Sequence, residues 1–435
     1  MPQSTELYER ASKVLPGGTT AAARINKGLG QPLYMARGEG CRLIDVDGRE
    51  YIDMCMSMGA SLLGHGHAAV CAALHKAGEL GIMCAAESVY QIELAEKIAA
   101  AIPCAEMVRF TLSGTETTWY AVRLARVVTG RRKVVKFEGH FHGYNDYLQF
   151  NFWPPPDKAW PHIHQEAPGL PGAEQHVIVL PLNDLAILEQ TLSEHKDEIA
   201  CVILEPLNYN SGGILPLPGY LQALRRLTEK HGIVLIFDEI LSGFRTGPGC
   251  MQTYFGVTPD LCTLGKALGG GVPLSAFAGK RAVMQHVAPA GPAMHSGTYN
   301  ANLANILPGL AFMDEIARVD FYPPLLARCE RLYAGMNAAF KKAGLRARVQ
   351  GTGARFGILF GDAAEGPFTK GSDLARQDWD MADRFFLAAT RRGVYFHTAR
   401  HHGISVAHTD ADIEQVIETT EAAAQETARE VTPCV

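Results

Sequence analysis

In the stretch PDLCTLGKALGGG, residues 259–271, a single lysine, Lys266, separates a short apolar run from a cluster of glycines. Such a run reads as a buried strand and the glycines as a tight turn. An ammonium group there must be paired or lose its proton, and a desolvated neutral amine is a nucleophile. It can add to a carbonyl and, once released, carry a proton between two carbons. The simpler alternative is a lysine whose head reaches water along its own stem. A second apolar run, IVLIFDEILSGFR, ends on Asp238 and Glu239. A buried carboxylate needs a cation or hydrogen-bond donors. A ring nitrogen kept protonated by Asp238 would satisfy it and leave the ring able to accept electrons. A salt bridge to Arg245, or a divalent cation on the two carboxylates, would satisfy it equally.

Three more stretches carry chemistry. RFTLSGTETTWYAVRLAR reads as strand, then Ser113, Gly114 and Thr115, then helix. Backbone N–H groups and two hydroxyls at a helix N-terminus would cradle a phosphate, although a plain helix cap uses the same residues. FEGHFHGYND offers Phe141 and His142 after another apolar run, and HSGTYN sets Ser296, Gly297 and Thr298 in a glycine turn. The aromatic face of Phe141 could stack on a planar ligand. His140 and His142, like His65 and His67, have the i, i+2 spacing that faces one way on a strand, which raises a metal site. Neither pair is accompanied by H-E-x-x-H or a carboxylate–histidine spacing, so no metal is expected. G-x-x-x-x-G-K-[ST], a G-x-G-x-x-G after a strand and G-x-S-x-G are all missing from the sequence.

These groups must be held by the elements around them. From about residue 70 to 310, short apolar runs (MVRFTL, KVVKF, VIVLPL, ACVILEP, IVLIFDE, LCTLG) alternate with helical stretches such as TTWYAVRLARVV and YLQALRRLTEKHG. Continuous rather than alternating hydrophobicity means strands covered on both faces, hence an α/β fold with a mostly parallel sheet between helices. In such a sheet ligands bind beyond the carboxyl ends of the strands, where these polar residues fall. Before this region, Leu7, Ala11, Val14 and Leu15 share a helical face that Pro16-Gly17-Gly18 breaks, and CRLIDVDGREYIDM reads as a hairpin with a two-residue Asp47-Gly48 turn. After it come helix, strands, helix, strands and a last helix opening at Thr409 and Asp410, with 361–375 a mobile loop. The expected organisation is an N-terminal segment 1–69 and a C-terminal segment 316–435 contributing to a small α+β domain, around a large domain 70–315.

The 435 residues exceed what one core usually serves, and 47% apolar with 20% charged residues describes an ordinary globular chain. A net charge of −5 offers no basic excess for nucleic acid or anionic lipid, and no apolar stretch reaches the length of a membrane span. No nucleic acid and no membrane is therefore expected as a partner. Ten scattered cysteines without a C-x-x-C pair, and a first segment without an apolar signal core, lead us to expect a cytoplasmic location.

The blocks SGTETTWYAVRLARVVTGRRKVVKFEGHFHG, LEP, LIFDEILSGFR, YFGVTPDLCTLGKALGGGVPLSAFAGKR and HSGTYN, in this order, resemble those of class III (fold type I) pyridoxal-phosphate-dependent aminotransferases over roughly residues 10–425. The subgroup containing glutamate-1-semialdehyde aminomutase is the most similar. The resemblance implies a seven-stranded sheet in the large domain and pyridoxal 5′-phosphate as cofactor. It implies that Lys266 holds the cofactor aldehyde and Asp238 pairs with its ring nitrogen. Ser113, Gly114 and Thr115 would bind the phosphate, while Phe141 and Ile240 would cover the two ring faces. Thr298 would reach the phosphate of a neighbouring subunit, which makes the expected assembly a homodimer with shared active sites. Glu205 and Asn210 would lie near the cofactor; Arg24 and Arg400 would bind substrate carboxylate.

The chain also departs from the family. Trp119 follows GTETT where small residues are commoner, and GTYNANLAN replaces the usual turn in a way similar to β-phenylalanine aminotransferases. SGTET is similar to D-phenylglycine aminotransferase, and the pair His401-His402 has no counterpart. The expected reaction is a ping-pong transfer of an amino group from an amino acid, including β- or D-amino acids, to a keto acid. The alternative is intramolecular transfer of the aminomutase type, which Arg24 and Asn210 favour. Racemisation, phosphate-ligand binding without catalysis and metal-dependent hydrolysis are further readings of the same residues.

Overall fold

The computed structural model describes residues 3–167, 169–398 and 401–431. The chain divides into two compact units, one of residues 68–322 with 369–375, the other of 1–67, 323–368 and 376–435.

In the larger unit, β1 (Met107–Thr111), β2 (Lys133–Phe137), β3 (Val177–Leu180), β4 (Ile199–Leu204), β5 (Val234–Asp238), β6 (Leu261–Leu264) and β7 (Ser275–Gly279) form one seven-stranded sheet in the order β1-β7-β6-β5-β4-β2-β3. All its pairings are parallel except those of β7, which runs against both β6 and β1. Six strands correspond to the six apolar runs of the sequence. The seventh, SAFAG, lacks β-branched residues, so its composition gives no strand signal. Every residue of β4, β5, β6 and β7 is buried, as continuous hydrophobicity requires. Val134, Ile203, Ile236, Leu261 and Phe277 of the sheet pack against Ala121, Val122, Leu124 and Ala125 of the helix Gly114–Thr129. That contact aims the helix N-terminus at the carboxyl ends of the central strands.

The smaller unit holds a four-stranded sheet, of which Arg42–Asp45 and Glu50–Asp53 are the expected hairpin. Its loop has three residues rather than two: Asp45 pairs with Arg49 through a backbone bond of 2.9 Å, and Gly48 alone takes a positive φ, +85°. The reason is Asp45, whose Oδ1 accepts the N–H groups of Asp47 (3.0 Å) and Arg49 (2.8 Å). A three-residue loop ending in a left-handed glycine satisfies the same twist. The N-terminal helix Gln3–Ala11 buries no residue and stops before Val14 and Leu15, so the expected apolar face is not a core face. The last helix, Asp410–Val431, opens as expected, with Thr409 and Asp412 each accepting the other's backbone N–H.

Residues 361–375 are not one open loop. They form 3₁₀ turns at Gly361–Ala364 and Gly371–Arg376, and the part 369–375 belongs to the larger unit. Asn183 donates to the Thr369 carbonyl at 2.8 Å, and a Cβ on Gly371 would lie 2.5 Å from the Glu138 carbonyl oxygen. Gly371→Ala should therefore weaken this docking by about 1–3 kcal/mol. Limited proteolysis should cut the variant faster than wild type between residues 361 and 376, and equal rates would contradict the packing.

Candidate active site

The carboxyl ends of the parallel strands meet in one cavity of about 290 Å³. Ser113, Gly114, Thr115, Phe141, Glu205, Asn210, Asp238, Ile240 and Lys266, separated by more than 150 positions in sequence, all line it. Leu112, His142 and Ser275 line it too. Ser275 is there because β7 runs backwards and begins where its neighbours end.

Asp238 closes β5 and is only 2% exposed. Its Oδ1 accepts the Thr263 hydroxyl at 2.9 Å and the Ile240 N–H at 3.2 Å, and its Oδ2 meets His142 Nδ1 at 2.7 Å. These donors hold it, and Arg245 gives its Nε–H to the Leu241 carbonyl at 2.9 Å. Burial pushes the His142 imidazole below its ordinary pKa even though the carboxylate pulls the other way. The neutral ring therefore donates from Nδ1. Thr263 carries no motif signal: only the register Asp238↔Thr263 between β5 and β6 brings it here.

Glu239 turns away from the cavity. Its carboxylate accepts the Met251 N–H at 2.7 Å and the Gln252 amide at 2.9 Å, so the adjacent carboxylates do not form a joint cation site. Glu205, 2% exposed, accepts the Phe141 N–H at 2.9 Å and the Asn210 amide at 2.9 Å. It thereby fixes the backbone under the Phe141 ring. Burial first, and then the charge of Asp238, push its carboxyl up to about 8.

Lys266 follows β6 and Gly265 with φ +45°, a left-handed conformation uncommon for a side-chain-bearing residue. It is half-buried rather than fully enclosed. Gly265 is needed for space, since a Cβ there would sit 2.8 Å from Ser275 Oγ. The helix Gly114–Thr129 begins with Ser113 Oγ accepting the Glu116 N–H at 3.3 Å. Its first-turn N–H groups have no partner inside the helix and suit an anion. The loop 140–143 closes on that turn. Thr118 Oγ1 donates to the His142 carbonyl at 2.6 Å, and at Gly143, with φ +86°, a Cβ would lie 2.6 Å from Thr115 Cα.

Not every expected residue joins this cavity. Thr298 is exposed and lines a separate cavity of about 750 Å³ with Ile92, Ala95, Phe110 and His295. Arg24, also exposed, belongs to the smaller unit, where it bonds to Thr20 and borders a cavity with Tyr34, Asp53, His65 and His397. Arg400 lies outside the described residues. The histidine pairs are not on strands. His65 Nε2 meets Asp53 Oδ2 at 2.8 Å, and His140 Nδ1 accepts the Glu205 N–H at 3.0 Å. Among the described residues no three His, Cys, Asp or Glu side chains gather as metal ligands, and no helix is long and apolar enough to cross a membrane.

A family model described as aminotransferase class-III matches residues 25–423. A glutamate-1-semialdehyde 2,1-aminomutase of Desulfosudis oleivorans is 38% identical over 427 residues, covering 97% of this chain and 98% of that protein. The crystal structure of an omega-transaminase from Sphaerobacter thermophilus superposes with a TM-score of 0.90 at 32% identity, covering 98% of both chains. A transaminase structure with pyridoxal phosphate bound superposes equally well, at 0.90 and 28% identity, again over 98% of each chain.

The raised Glu205 pKa gives a prediction with a definite sign. A carboxyl at about 8 when folded, against the ordinary 4.5, favours folding below pH 4.5, and this contribution is lost as pH rises to about 8. In ligand-free protein, the unfolding free energy of wild type should fall relative to Glu205→Gln across that window and level off above it. Urea titrations with parallel pH slopes for the two proteins would contradict the burial argument.

Proposed function

The chain belongs to the class III aminotransferases, and we propose that it uses pyridoxal 5′-phosphate in the cavity of Lys266 and Asp238 to move an amino group from an amino acid to a keto acid. The observation that carries this is the meeting of an amine, a buried carboxylate and a helix N-terminus in one cavity of about 290 Å³. That set fits a phosphorylated, ring-bearing aldehyde: each end of such a molecule finds the group its chemistry requires. The narrow approach at Gly114, where a Cβ would lie 2.9 Å from Ile240 Cδ1, supports the same fit, because a larger residue would fill the space beside the helix start.

When bound, pyridoxal 5′-phosphate supplies an aldehyde for amines and a ring that accepts electrons. The protein's residues do the rest. Lys266 would hold the aldehyde carbon, and its Nζ would be the base that moves a proton at the substrate carbon. Asp238, held under the hydroxyl of Thr263 and the Nδ1–H of His142, would accept from a ring N–H. Ser113, Gly114 and Thr115 would hold the phosphate, and Phe141 and Ile240 would shield the ring from water. Glu205 with Asn210 holds the Phe141 backbone.

We take the assembly to be a homodimer that completes each site. Ile82, Val89, Ile92 and Tyr299 are 52 to 62% exposed, Ile92 borders the cavity of Thr298, and Tyr299 follows Thr298 in the turn proposed to reach a partner's phosphate. Exposed apolar side chains beside that turn support an association face there. Arg24, and Arg400 on the sequence pattern, are the proposed carboxylate partners of the substrate, and a cytoplasmic location remains our reading. The second reading, intramolecular transfer, is supported by Arg24 together with the bond from Asn210 to Glu205.

Lys266→Ala should still take up pyridoxal phosphate without covalent attachment, yet lose about 10²- to 10⁴-fold or more in turnover. Retention of full activity would refute the assignment. Incubation with single compounds separates the two readings: a transaminase with bound cofactor stops after one turnover without a keto acid, whereas multiple turnovers on glutamate-1-semialdehyde alone would establish the mutase.

A further inference from the structure

His140 and His142 follow the same strand and serve different partners. The ring nitrogen facing each partner determines where the proton sits. His140 Nδ1 accepts a backbone N–H, that of Glu205, so the neutral ring carries its proton on Nε2. His142 Nδ1 faces the Asp238 carboxylate, so its proton is on Nδ1 and its Nε2 is an acceptor. Both side chains are buried, at 0% and 1% exposure, and their ring centroids are 6.0 Å apart. Among the described residues neither Nε2 has a hydrogen-bond partner, although both are buried. One orphan is thus a donor and the other an acceptor, side by side. Leaving both unpaired would carry two desolvation penalties, which buried polar groups ordinarily avoid by sharing ordered water.

We propose that one buried water bridges Nε2–H of His140 to Nε2 of His142, and that His140 through it is a positioning residue holding His142 in the tautomer that donates to Asp238. The water accepts from His140 and donates to His142. A His142 ring with its proton on Nε2 would present a lone pair to the carboxylate at 2.7 Å, so the bridge selects the favourable tautomer from behind. Lys136, fully buried on β2, and Asp238 are the charges acting on this pair; burial keeps both rings neutral, and Lys136 acts in the same direction. The consequence for catalysis rests on the reading of Asp238 as the ring-nitrogen partner, while the tautomers and the water do not.

Two side chains separate the water from the Glu205 contact. His140→Asn keeps an acceptor for the Glu205 N–H and lacks the Nε2 donor; His140→Gln reaches the water with an amide N–H. In ¹⁵N-histidine-labelled wild type, long-range ¹H–¹⁵N spectra should show the proton on Nδ1 of His142 and on Nε2 of His140. A high-resolution map should show a water within hydrogen-bond distance of both. In the holoenzyme, His140→Asn should release pyridoxal phosphate roughly tenfold faster and mix the His142 tautomers, with His140→Gln closer to wild type. A wild-type His142 protonated on Nε2, the lack of that water, or unchanged tautomers in His140→Asn would overturn the proposal. Shifted tautomers with unchanged cofactor release would uphold the bridge and the hold on the tautomer, and overturn the consequence for cofactor binding. A wild type that takes up no pyridoxal phosphate would instead refute the reading of the site, and the spectra would still decide the bridge.

Discussion

A carboxylate buried inside the protein and held by donors from three elements is the constraint around which this site is built. Asp238 is almost entirely removed from water, and burying a charge is unfavourable by several kcal/mol unless donors replace the lost hydration. Here the replacements are a hydroxyl from the adjacent strand, a backbone N–H two residues on and an imidazole from the loop after β2. Each comes from a different element. The sheet register, the course of the loop and the tautomer of a histidine must therefore all be right together. A carboxylate held so is a fixed feature of the cavity, its donors already in place.

The sheet supplies the convergence. Because β1, β2, β4, β5 and β6 run the same way, the segment leaving each of them opens on one edge, and residues from 113 to 266 become neighbours. The antiparallel β7 contributes from its first residue, Ser275, instead of its last. Packing of the helix Gly114–Thr129 on the sheet then sets its N-terminus beside the Asp238 end of β5, and the loop 140–143 is tied to that helix through Thr118 and the close approach at Gly143. The glycines at 114, 143 and 265 share a geometric role: each stands where a Cβ would meet a neighbour within 3 Å.

Glu205 shows how one residue type can have opposite tasks in one cavity. Asp238 has three donors on its two oxygens and faces the cavity. Glu205 lies beside that carboxylate, and burial and repulsion push its carboxyl up to about 8. Its visible work is structural, holding the Phe141 backbone, while Glu239, next to Asp238 in sequence, is spent on the helix Cys250–Phe255. Adjacency in sequence thus says little about which carboxylate does chemistry; on a strand, neighbours point to opposite faces.

Much of the architecture was legible in the residues. Short continuous apolar runs read as strands of a helix-covered sheet, so six of the large sheet's strands and the residues at their carboxyl ends could be read directly, and the ordered blocks tied them to the class III aminotransferases. Where local pattern and three-dimensional contact part company, the sequence was silent. Ser-Ala-Phe-Ala-Gly becomes a strand because two neighbours pair with it, the Asp47-Gly48 turn gains a residue because Asp45 captures its N–H groups, and the paired histidines face separate partners because they lie on a loop. Residue order alone dictated which chemical groups stand at the strand ends, since burial and periodicity are local properties of the chain. Which of them share a cavity, and which donor each carboxylate receives, was settled by folding, because hydrogen-bond partners are set by register and by packing between residues far apart in the chain.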